Sequence, residues 1–247
     1  LYAGLGVFFF LFPLNLIQVQ NYSPTATGAA ALPMILLMFS LSRWSGGLVA
    51  RYGARLPLIV GPLIAAVGFL LCTAPSVEAN YWTTFFPAFI VLGLGMAISV
   101  APLTTVVMSS VEEDRAGTAS GINNAVARVA GVLAVAVLGL VMVASFSRSL
   151  RDSLSSLRLD PALAHYVESN ASRLAGLDPP ANQDPATQEE IRLAVRRGFV
   201  FGFRTVMLFS AALALASAVT AWRMIPPRGW ETRVNLGRSA AANPRAA

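Results

Sequence analysis

Long apolar runs broken by short polar turns dominate this chain, and their spacing predicts six helices that each cross a membrane. The runs are about 1–20, 30–50, 56–74, 84–111, 117–146 and 198–224. Each approaches or exceeds the roughly 20 apolar residues that span a hydrocarbon core of about 30 Å. Lipid offers no partner for free backbone groups, so such runs must be helical. The expected fold class is an all-α membrane protein, a six-transmembrane-helix bundle. Residues 1–146 would hold the first five helices, 147–197 an extracytoplasmic loop with short surface helices, 198–224 the last span, and 225–247 a disordered basic tail.

The stretch Ala101–Gly131 organises this picture. It reads as two apolar helices joined by the charged turn Glu112-Glu113-Asp114-Arg115. The second helix then takes Asn123, Asn124 and Arg128 into an apolar segment. Arg128 lies about 16 Å along the helix from Gly117, near mid-membrane depth. A guanidinium there costs roughly 2.5–3.5 kcal/mol on insertion scales, so it should face a bundle interior or a wet cavity. The six runs contain no Asp or Glu. Arg128 would therefore bond carbonyls or asparagines, meet an acid outside this chain, meet an anionic substrate group, or snorkel to the interface.

Other polar positions support a cavity. Asn15, Gln18 and Tyr22 share one helical face. They read either as a polar cavity wall or as interfacial anchors. Thr104 and Thr105 follow Pro102, which removes one backbone bond and could serve as a hinge. Gly117, Gly121, Ala127 and Gly131 give small-residue spacing suited to close helix packing.

Composition changes the picture little. The chain is 55% hydrophobic and 12% charged, with a mean hydropathy of +0.63, outside the soluble range. The net charge of +6 comes from arginine alone. Arg43, Arg51 and Arg55 cluster after the second run, which puts that turn in the cytoplasm by the positive-inside rule. The C-terminus is then cytoplasmic too. The long loop carries seven arginines matched by seven acids, and long loops cross with little regard to charge. Nucleic acid is the weaker reading of the basic balance. Cys72 stands alone, so neither a disulfide framework nor a multi-cysteine metal site is expected. His165, in the loop, reads as a surface residue. No nucleophile–base set, metal-ligand cluster or phosphate loop occurs, and neither an enzyme nor a cofactor is expected. The chain opens at Leu1 inside an apolar run, with no signal-peptide pattern, and an upstream portion is expected to be missing.

Several motifs resemble a known family. Pro102-Leu103-Thr104-Thr105, Ala116-Gly117-x-Ala119-Ser120-Gly121 and Asn123-x-x-x-Ala127-Arg128-x-x-Gly131 resemble the C-terminal half of a major facilitator superfamily transporter. They are most similar to the fourteen-helix EmrB/QacA-type drug:proton antiporters. Gly46–Arg55 is similar to the superfamily's cytoplasmic-turn motif, with Ala50 where the pattern has its acid and Ala54 thinning its basic run. The resemblance implies proton-driven efflux of drugs or amphipathic metabolites by alternating access at the plasma membrane. The partners would be lipid, protons, a small amphipathic substrate and the missing N-terminal half, which would hold the coupling acid. The cavity would be lined by Asn15, Gln18, Thr104, Thr105, Asn123, Asn124 and Arg128. Gly47, Arg51, Gly53, Arg55 and Pro102 would serve conformational change. A facilitator for uptake, a lipid exporter and a membrane scaffold without transport remain the alternatives.

Overall fold

The computed structural model describes residues 1–109, 111–157, 160–180 and 182–225. The described residues form helices and turns, with no strand among them. Eight α-helices follow in order: α1 (Tyr2–Leu14), α2 (Pro24–Ala30), α3 (Leu32–Tyr52), α4 (Arg55–Leu71), α5 (Phe86–Ser109), α6 (Ala116–Ser156), α7 (Pro161–Ser169) and α8 (Pro185–Met224). One π turn, Asn15–Val19, extends α1, and another, Tyr81–Phe85, leads into α5. Five helical stretches are long and apolar enough to span a bilayer. The sixth, α4, has 17 residues, about 25 Å of helix, at the short end of the spanning range. The protein is a multi-pass membrane bundle of six apolar helices. Most of the tail expected over 225–247 lies outside the described residues.

The helices touch through glycine. A Cβ on Gly68 of α4 would sit 2.7 Å from the Leu92 backbone of α5, and one on Gly95 of α5 would collide with Ala65 of α4. Gly61 faces Ser99 in the same way. Between α1 and α6, a Cβ on Gly6 would stand 2.8 Å from the Gly131 Cα. On α8, Gly198 and Gly202 receive Phe146 and Met142 of α6. Small residues matter here because lipid-facing and helix-facing surfaces are equally apolar, so close contact must supply the attraction. Around the α1–α4–α5 junction the rings fill what remains. Phe12 meets Phe89 edge-on at 4.8 Å, and Phe8 reaches both Phe12 and Phe69.

Two boundaries differ from the sequence reading. The fifth apolar helix does not end near Phe146 but runs to Ser156, because Leu150 and Leu154 prolong the buried row of Leu138, Met142 and Phe146. The last helix starts at Pro185 rather than 198, with Ile191, Ala194 and Val195 buried opposite. At 41 and 40 residues, α6 and α8 are each about 60 Å long, twice a hydrocarbon core. The charges at 148–152 and 189–197 hid an apolar seam that continues beyond the membrane. Asp184 accepts from the Thr187 N–H at 2.9 Å and caps the earlier start. Those backbone bonds hold the Asp184 carboxyl below its ordinary range.

Replacing Gly68 by leucine should force α4 from α5. We expect a loss of about 1–3 kcal/mol of stability, or failure to accumulate, measured by thermal unfolding in detergent. Gly139→Ala, where an added Cβ meets nothing within 4 Å, serves as the neutral control.

Candidate functional site

Thr104 and Thr105 line a groove of about 860 Å³ between α3, α5 and the start of α6. Its volume suits a drug-sized molecule. Met38 and Ser42 of α3 form one wall, and Ala101 and Met108 of α5 form the other. The threonine hydroxyls donate to the Val100 and Ala101 carbonyls at 3.0 Å. Their oxygens keep lone pairs for a donor in the groove. Pro102 is buried inside α5 between these bonds, and its ring nitrogen leaves the Ile98 carbonyl without a helical donor. Met38 and Ser42 were not singled out from sequence. Their i, i+4 spacing on α3 was available, but nothing marked that face as facing α5.

Asn15 and Gln18 lie elsewhere. Asn15 is fully buried within the α1 end of the core, and neither its Oδ1 nor its Nδ2 has a partner among the described residues. Gln18 Oε1 is likewise buried and unpaired, and its amide packs against Gly176 of the loop. Asn15 is nine residues, about 14 Å, beyond the Gly6–Gly131 crossing in the direction away from the arginine-rich end. Arg128 is three residues to the other side of that crossing. The two belong to different levels of the bundle and do not form one cluster.

The helix α6 divides its circumference three ways. Asn123 begins the inward row with Ala127, Ala134 and Leu138. Ile122, Val126, Val129, Leu133, Val137 and Leu140 form an exposed apolar row. Between them runs a second exposed row, Gly117, Gly121, Asn124 and Arg128, spaced four, three and four. An added Cβ at Gly117 or Gly121 meets nothing within 4 Å, so these glycines pack on nothing among the described residues. Arg128 makes no hydrogen bond or ion pair among the described residues. The polar row is therefore presented outward from this chain, adjacent to but not part of the groove's lining.

The conformational candidates also separate. Gly53 has φ 76° and ends α3, a conformation open to glycine. Gly46 and Gly47 sit inside α3 with open space around them, so the turn depends on Gly53 and not on that pair. The Arg51 guanidinium stacks over the Tyr52 ring at 5.3 Å. Arg55 donates through Nη2 to the Trp222 carbonyl at 2.7 Å, tying the start of α4 to the last turn of α8. At the other end, Arg204 of α8 donates to the Pro75 carbonyl beyond α4 at 3.0 Å. The long-range partner of neither arginine was visible in sequence. Gln20, also unmarked, clamps the 76–79 turn by donating to the Ser76 carbonyl and accepting from the Ala79 N–H.

The described residues hold no cluster of three or more potential metal ligands.

Residues 1–147 match the family model described as Major Facilitator Superfamily. The chain is 28% identical over 224 residues to the multidrug resistance protein Stp of Mycobacterium tuberculosis, covering 85% of this chain and 39% of that protein. It is 29% identical to a tetracenomycin C resistance and export protein of Streptomyces glaucescens, covering 87% of this chain and 40% of the other. With the puromycin resistance protein of Streptomyces alboniger the figures are 30%, 90% and 38%. The chain thus spans about two fifths of the length of these relatives.

Cysteine labelling should separate these environments. Cys72 is 2% exposed and should stay silent in native protein. Thr105→Cys should react with a water-soluble thiol reagent, whereas Asn15→Cys should react only after denaturation, read by gel shift.

Proposed function

We propose a function on one premise: the chain belongs to the major facilitator superfamily, whose members are transporters and not enzymes. We read it as the six-helix C-terminal half of a drug exporter in the plasma membrane. The relatives named for resistance to, or export of, toxic compounds support efflux as the direction.

The observation that carries the reading is the uncovered polar row of α6. A membrane helix does not present a guanidinium and an asparagine to acyl chains without cost. Gly117, Gly121, Asn124 and Arg128 therefore face a second bundle and the cavity between the two halves. Glycine lets that partner approach, and Arg128 and Asn124 supply donors there. The groove at Thr104 and Thr105 is the branch of the pathway nearer the arginine-rich end. Arg43, Arg51, Arg55 and Arg223 gather at that end, so it is cytoplasmic, as is the C-terminus. Alternating access would rock the two halves about the cavity, with the Gly53 turn and Pro102 as the points that bend.

The substrate would be a small amphipathic compound. The groove is mainly apolar, with the Ser42 hydroxyl on its α3 wall and those of Thr104 and Thr105 on its α5 wall. Proton coupling would require a group titrating in a usable range, and the six apolar runs hold no carboxylate. We therefore place the coupling acid in the other half.

Arg128→Ala in the intact transporter should reduce export of a fluorescent drug by about tenfold or more with unchanged membrane levels. Unchanged export would remove Arg128 from the pathway. A protonophore should abolish export. Gly47→Cys and Ser156→Cys should label from opposite faces of the membrane, and labelling from one face would reject the topology.

A further inference from the structure

A second cavity, of about 630 Å³, opens at the end of the bundle far from the arginine-rich turn. Its back wall is one face of α8: Leu193, Arg197, Val200 and Arg204, spaced four, three and four. Ser149 of α6 closes one side, and the turn after α4, with Ser76 and Glu78, closes the other. Phe201 forms the lip and is exposed.

The depth of this cavity follows from the helix. Arg55 marks one membrane boundary by its bond to the Trp222 carbonyl. Arg204 lies 18 residues back along α8, about 27 Å away, which is one hydrocarbon thickness. Arg197 is two turns further out, about 10 Å beyond, at headgroup level. The two guanidiniums are thus stacked across the boundary where lipid phosphates lie.

Neither arginine is neutralised. Among the described residues no acid forms an ion pair with either cavity arginine, Glu78 included. Arg204 spends one Nη on the Pro75 carbonyl, while its Nε is buried with no partner. The remaining Nη donors of Arg204 and the Arg197 guanidinium face no acid partner among the described residues, and a phosphate oxygen is the acceptor a guanidinium fits best. The two serine hydroxyls could donate to the same group. The apolar lip suits an acyl chain leaving the site.

We infer that Arg197 and Arg204, with Ser76 and Ser149, form a binding site for the phosphate of an anionic phospholipid. The site holds α8 against α6 and the α4–α5 turn. The inference needs only that the bundle sits in a bilayer, and it stands whether or not the protein exports drugs. Glu78 is the acid in the cavity's lining and weakens binding.

The test uses the intact transporter in detergent, titrated with phosphatidylglycerol, phosphatidylcholine or inorganic phosphate, with the thermal unfolding midpoint as readout. Phosphatidylglycerol should raise the midpoint, and the other two should not. Arg197→Gln should weaken the apparent phosphatidylglycerol affinity roughly tenfold. That variant leaves the Arg204–Pro75 bond in place, so its own folding should be unaffected. Arg197→Lys should retain most of the response, and Glu78→Gln should strengthen it. Equal affinity in wild type and Arg197→Gln would overturn the site. So would no response to phosphatidylglycerol or an equal response to phosphatidylcholine. An equal response to inorganic phosphate would show a free-anion pocket in place of a lipid site.

Discussion

Backbone comes close to a neighbouring helix at the α4–α5, α1–α6 and α6–α8 crossings of this bundle, and the rest of the fold depends on that closeness. Inside a membrane, moving leucine from lipid to protein gains almost nothing, so helices must find attraction in contact density. Gly68 and Gly95 set α4 into α5, Gly6 lies on Gly131, and Gly198 and Gly202 admit the side chains of α6. Remove the glycines and the same apolar surfaces would be content in lipid. The phenylalanine cluster around Phe8, Phe12 and Phe89 is then a filling for spaces whose size the glycines fix.

Direction along the membrane normal comes from a different force. The two arginine–carbonyl bonds, Arg55 to Trp222 and Arg204 to Pro75, sit at opposite ends of the α4–α8 pair. Arg55 of α4 caps the last turn of α8, and Arg204 of α8 holds the turn that follows α4. Carbonyls near a helix end lack intrahelical donors, and the end carries partial negative charge, so a guanidinium is matched there both ways. The pair cannot slide without breaking one of these bonds.

Much of this was legible beforehand because hydropathy reports what lipid demands. Six apolar runs, the charged turn at 112–115 and the arginine cluster at 43–55 all appear where the helices begin and end. The extended ends of α6 and α8 were not legible. Arg148, Arg151 and Asp152 broke the apolar run, while the seam of Leu150 and Leu154 beneath them was a helical periodicity hidden under charge. For the candidate site, residue type was informative but neighbourhood was not. Thr104 and Thr105 meet α3, which no spacing on α5 could reveal. Asn15 and Arg128 are both polar intruders, yet they sit about 18 Å apart in depth. Long-range partners such as Arg55 with Trp222 come from the fold alone.

The prolonged α6–α8 pair has a mechanical meaning. A helix is stiff along its axis, so α6 acts as a rod that is held at the Gly6–Gly131 crossing and reaches well past the bilayer at its far end. If it tilts by about 10° around such a pivot, a point about 35 Å away travels roughly 6 Å. Small rocking of the buried portion would thus be magnified into a sweep of the emergent tip, with the intervening loop of α7 carried along as cargo.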